Sequence, residues 1–131
     1  AGKRTVRDAV YGRPSISVVP RSGLGQNQFV RIAWAGFQPG APVFFRQCTS
    51  RPTNVTRDCT ALYADLGFTT SKGTGVQYEG VTQGRVRSES GRRFSCDRQV
   101  PCSIGVFSGS DLSGGARVPI KFAPSPSSCS P

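Results

Sequence analysis

Apolar and polar positions alternate with a period of two through most of this 131-residue chain, the mark of strands that bury one face. The clearest case is 29–35, where Val30, Ile32 and Trp34 alternate with Phe29, Arg31 and Ala33. Residues 36–42 carry two Gly and two Pro, which end that strand, and 43–48 resumes an extended apolar run that closes on a cysteine. These two stretches are expected to pair with each other at the centre of a sheet. Further strands are expected at 15–20, 59–63, 75–82, 94–96, 103–107 and 117–122, with another opening at Phe68. Residues 84–89 are expected to pair with 75–82 across the intervening turn. In the last strand Val118, Ile120 and Phe122 should point inward, and Arg117 and Lys121 outward. No window sustains a period of 3.6, and 16 Gly with 10 Pro disfavour helix interiors. Short strands at about ten-residue spacing with turn signals between them describe an all-β sandwich or small barrel.

The same pattern divides the chain. The alternating body spans 15–122 and is long enough for one buried core. It is preceded by a basic arm, 1–14, and followed by a Pro/Ser-rich tail, 123–131. Trp34 is expected in the core. The rings of Phe44, Phe45, Tyr63, Tyr78, Phe94 and Phe107 should supply much of the rest. No apolar run approaches the roughly 20 residues of a membrane span. The first residues lack an apolar signal core, so a secretion signal is expected to have been removed before Ala1.

Chemistry is limited by what the chain lacks. It has no histidine, which removes Ser-His-Asp and Cys-His arrangements and the HExxH zinc motif. Its seven acids are scattered, mostly in expected loops, so catalysis is not expected. There is no CxxC pair and no metal site is expected. Gly73–Gly80 has spaced glycines but no following helix, so it is not a nucleotide-binding loop. The five cysteines point to an oxidising compartment, hence a secreted protein. Local pairing, Cys48 with Cys59 and Cys96 with Cys102, is the economical assignment, although sequence permits other connectivities. Cys129 is left over, as a free tail thiol or an intermolecular bridge.

Three stretches carry a family likeness: SVVPRSGL at 17–24, FVRIAWAGFQPG at 29–40 with RQC at 46–48, and CDRQVPCSIGVFSGSDLSGGARVPIKF at 96–122. They resemble the neocarzinostatin family, the enediyne-antibiotic apoproteins of actinomycetes. The resemblance implies a seven-stranded immunoglobulin-like sandwich with both local disulfides. It also implies a cleft between the sandwich and the ribbon hairpins at one end, with its floor near Cys48 and Cys59, that holds a non-covalent, DNA-damaging enediyne chromophore. Phe45, Tyr63, Ser103 and Phe107 are then expected to line it, with Tyr78 and Phe94 as aromatic walls. This chain differs from the typical member in having Ser50 where an aromatic stands, and arginines in the 49–58 loop. A narrower or more polar cleft is therefore expected.

Charge supplies a second functional reading. Seventeen Lys and Arg against seven Asp and Glu leave a formal net charge of +10, which promotes association with polyanions. Arg4, Arg7, Arg13, Arg51 and Arg57 are the expected contacts, with Arg21, Arg46 and Arg98 near them. On this reading the protein is a basic cell-surface or assembly module that docks on DNA, another polyanion or a protein partner, the last through the arm or Cys129.

Overall fold

The computed structural model describes residues 13–108 and 114–124. The chain forms β1 (Ser15–Val19), β2 (Phe29–Ala35), β3 (Pro42–Thr49), a single helical turn α1 (Val55–Asp58), β4 (Cys59–Phe68), β5 (Gly75–Gly80), β6 (Gly84–Arg87), β7 (Arg93–Cys96), β8 (Cys102–Phe107) and β9 (Gly115–Ile120). Three strands make one sheet, in the order β1-β2-β5, and four make the other, β4-β3-β8-β9; β6 and β7 form a separate hairpin. All named strand pairs are antiparallel. The two sheets hold seven strands and the hairpin adds two, so the described residues form nine strands where seven were expected. An isolated parallel bridge joins Leu24 to Phe122.

The core lies between the two sheets, where alternate residues of each are buried. Val30, Ile32 and Trp34 of β2 meet Val43 and Phe45 of β3, and Ile104 and Val106 of β8 complete the layer. Trp34 and Phe45 pack with ring centroids 5.2 Å apart at 55°. Gln47 is also fully buried, and its amide is satisfied on both sides: Nε2 donates to the Thr82 carbonyl at 2.7 Å and Oε1 accepts the Thr82 N–H at 2.9 Å. Such pairing offsets the cost of burying an amide.

Four expectations need correction. β2 and β3 do not pair with each other. Each is an interior strand of its own sheet, and the connection between them crosses the sandwich. Alternation says which face of a strand is buried, and it says nothing about the neighbour. β6 pairs with β7, not with 75–82, because the preceding chain at Thr82 is held by Gln47. Residues 59–68 form one strand, with the register shifting between Phe44 and Arg46 of its partner. On β5 the polarity is the reverse of the usual one: Val76 and Tyr78 face solvent while Glu79 is buried, its Oε1 accepting the Ala64 N–H at 3.2 Å. Of the aromatic set, only Phe45 and Phe94 join the core between the sheets; Tyr63 and Tyr78 are exposed, and Phe44 and Phe107 lie on the outer face of the four-stranded sheet.

Candidate functional site

The outer face of the four-stranded sheet is built from three cross-strand rows. Directly paired residues of an antiparallel sheet point to the same side, so the register fixes what each row displays. One row runs Leu66–Phe44–Phe107–Gly115, the next Ala61–Arg46–Gly105–Arg117, and the third Cys59–Cys48–Ser103–Pro119. The third row contains a disulfide, because Cys48 and Cys59 face each other on adjacent strands and are bonded. The other bond joins Cys96 to Cys102. Both local pairings are those expected.

Phe107 is fully buried although it lies on this outer face, where it clusters with Cys48 and Cys59, and Val55 packs against them. Two glycines make room for its ring. A Cβ on Gly105 would come within 2.4 Å of Phe107 Cζ, and one on Gly115 within 2.7 Å of Phe107 Cδ1. The ring therefore lies down on β8 and β9 in a trough that side chains would otherwise fill. Above it opens a cavity of about 320 Å³ lined by Ser50, Ser103, Phe107, Gly115, Arg117 and Pro119. Ser103 Oγ donates to the Thr49 carbonyl at 2.9 Å, and Arg117 Nη1 donates to the Ser50 carbonyl at 3.2 Å. These two bonds hold the end of β3 against β8 and β9 and define the cavity wall.

Arg46 and Arg117 flank Gly105, one strand away on either side, so their backbones are roughly 10 Å apart, two strand spacings. The Arg46 guanidinium lies 5.7 Å from the Phe44 ring centroid, a cation–π distance. Its Nε is buried with no hydrogen-bond partner among the described residues. The face is thus an aromatic and disulfide floor edged by cations.

One side of this face is pinned by a buried carboxylate. Asp58, 4% exposed, accepts the Thr53 and Asn54 N–H groups at 2.9 and 3.1 Å and pairs with Arg57 Nε at 3.2 Å and Arg92 Nη1 at 2.6 Å. The Thr53 N–H bond lowers its pKa far below the ordinary carboxylate range against the opposing effect of burial; Arg57 and the Asn54 N–H add to the lowering. Asn54 caps α1, its Oδ1 accepting the Thr56 and Arg57 N–H groups at 3.0 and 3.1 Å. The Ser90 N–H donates to the Thr56 carbonyl at 2.9 Å. The disulfide loop and the tip of the β6–β7 hairpin are therefore tied together through Asp58.

The expected site residues separate. Ser103 and Phe107 meet at the cavity, beside the Cys48–Cys59 bond. Phe45 does not reach the cavity; it is fully buried on the inner face against Trp34. Phe94 is buried in the same core from β7. Tyr78 stands on the outer face of the other sheet, opposite Arg31. Tyr63 is fully exposed on the edge strand β4, beside a different concavity. Arg57 is taken up by Asp58 and by Thr53 Oγ1, to which its Nη2 donates at 2.7 Å. Arg13 and Arg51 are exposed. Arg4, Arg7 and Cys129 lie outside the described residues. The sequence alone does not single out Gly105, Gly115 or Arg117, and it groups Arg46 only by charge. Their common face follows from register, which the sequence does not display.

No group of three or more His, Cys, Asp or Glu among the described residues is placed to hold a metal ion. No helix among them is long and apolar enough to cross a membrane.

The sequence model of the neocarzinostatin family matches residues 16–122. No curated protein sequence matches the chain significantly. Among solved structures, macromomycin superposes with a TM-score of 0.64 at 24% identity, over 84% of this chain and 99% of macromomycin. The solution structure of apokedarcidin gives 0.55 at 20% identity, over 85% of this chain and 99% of its own. At these identities the likeness is one of fold.

Proposed function

The chain belongs to the neocarzinostatin family, and from that premise we propose that it is a secreted, non-enzymatic carrier that holds an apolar, enediyne-type chromophore away from water. The observation that carries this reading is the cavity on the outer face of β3, β8 and β9, next to the Cys48–Cys59 disulfide and over the Phe107 ring. The lining is more polar than apolar, as expected for a chain with Ser50 where an aromatic stands in the typical member. Pro119 offers exposed apolar surface above the buried Phe107 ring, while Ser50 and Arg117 supply polar edges that can orient the ligand. At about 320 Å³ the cavity is at the small end for a ligand site, so it would take one ring system and leave the rest of a larger molecule at the mouth. Carriage needs no bond chemistry from the protein: the residues would bind, orient and exclude water.

Pro119 gives the test. It is exposed on β9, the last strand of its sheet, and borders the cavity, so Pro119→Trp should fill the mouth without disturbing the core. Material extracted with methanol from the protein purified from its producer would be added back to wild-type apoprotein and to the variant. Saturable 1:1 binding to the wild type, weakened at least tenfold in Pro119→Trp, is expected. Equal binding by both proteins would refute this location for the site.

A further inference from the structure

We infer that the β6–β7 hairpin and the groove beside it form a binding site for single-stranded nucleic acid, separate from the outer-face cavity. The inference starts from the hairpin's two faces. Val86 and Phe94 pair across it and are buried, so the residues on either side of them point outward. These are Arg85, Arg87 and Arg93, all exposed, and the half-buried Ser95 opposite Arg85. Arg87 and Arg93 face each other directly in the register, an arrangement of like charges that destabilises a strand pair. None of the three makes an ion pair among the described residues, where Asp58 pairs only with Arg57 and Arg92. An anion brought between them would relieve that repulsion, and a guanidinium is suited to bind phosphate through two parallel hydrogen bonds.

Two concavities meet on these arginines. One, of about 220 Å³, is lined by Arg85, Val86, Arg87 and Arg93. The other, of about 420 Å³, shares Arg85, Val86 and Arg87 and continues to Tyr63 and Phe29. Tyr63 is 100% exposed and Phe29 68% exposed, so each ring has a free surface. Asn27 and Thr60 add hydrogen-bonding groups to the same groove. Cations that follow a backbone, alternating with open rings on which bases stack, are the two elements of single-strand recognition. In a duplex the bases are already stacked on each other and would leave both rings unused. A bilayer is flat and would not enter a groove.

The test uses the full chain and fluorescein-labelled oligothymidylate of 15 nucleotides, followed by anisotropy between 50 and 200 mM salt. A duplex of the same length and phosphatidylserine vesicles serve as rivals. The single strand should bind tighter than the duplex. Arg85→Ala and Arg87→Ala should each reduce the salt slope by about 0.7 for every phosphate that is no longer neutralised. Tyr63→Ala should weaken binding about tenfold while leaving the slope unchanged, because it removes stacking and no charge. All three side chains are exposed, and circular dichroism would verify that each variant stays folded. Equal or tighter binding of the duplex, an unaffected Tyr63→Ala, or preference for the vesicles would each overturn the inference. Pro119→Trp should leave this binding intact, so the result is independent of chromophore carriage.

Discussion

The two outer faces of the sandwich are opposite in construction. On the three-stranded sheet, β1, β2 and β5 display Ser15, Ser17, Ala33, Val76 and Tyr78, and the larger of these side chains stand in solvent. On the four-stranded sheet the outer face holds a second small core, in which Phe107 is fully buried on the Cys48–Cys59 disulfide. A sandwich of this size needs one core between its layers. Burial on the far side of a sheet therefore marks a surface built for something other than holding the layers together. The glycines on β8 and β9 support that reading, since they weaken strands unless a close approach needs them, and here the Phe107 ring approaches Gly105, and the ring together with the Val106 carbonyl approaches Gly115.

The sharpest way to break this comparison is to truncate one ring on each face. Phe107→Ala should cost about 3–5 kcal/mol of unfolding free energy, as for other buried phenylalanines. Tyr78→Ala on the opposite face should change stability by less than about 0.5 kcal/mol. Chemical denaturation of both variants measures the contrast, and comparable losses would mean that the second core is not one.

Asp58 comes next in size. Asp58→Asn weakens the bonds from the Thr53 and Asn54 N–H groups to a charged acceptor and should cost about 2 kcal/mol, with little added by Arg57 and Arg92, which are half exposed and screened by solvent. The sign of its pH dependence follows from its lowered pKa. The unfolded state binds the proton more readily, so Asp58 stabilises the fold above its unfolded value of about 3.9. That stabilisation is lost as the pH falls below this value. Wild-type stability should therefore drop between pH 5 and pH 2 by more than that of Asp58→Asn. Parallel pH profiles would show that the carboxylate does not pin the loop to the hairpin. The smallest effect is at the cap: Asn54→Ala should cost about 1 kcal/mol, measurable as a small loss in the same denaturation series.

Much of the strand layout is legible in the sequence. The alternation of Val30, Ile32 and Trp34 identifies β2, and the spacing of the cysteines suggests both disulfides. Partners are not legible, because period-2 alternation is a property of one strand and pairing is a property of two. This is why β2 and β3 look like a hairpin in sequence and why β6 reads as a partner of β5. The aromatic residues mislead for a related reason. On β5 the apolar set Val76 and Tyr78 points outward, and on β4 Leu62 is buried while Tyr63 is exposed; alternation alone does not say which set is inside. Of the site, Ser103 and Phe107 come from the family resemblance, whereas the flanking Arg46 and Arg117 emerge only once three strands are in register. The hairpin arginines carry a signal in sequence, since Arg85–Val86–Arg87 alternates charge with a buried residue, but overall charge draws attention to the arm and the disulfide loop instead.

Carriage of a small molecule on the outer face of the four-stranded sheet is tested most directly by native mass spectrometry of the protein purified from its producer. A single small molecule bound non-covalently to each chain, released by solvent and absent from Pro119→Trp, is the predicted result. A protein that emerges at its bare chain mass, or with a macromolecular partner in place of a small molecule, would contradict it.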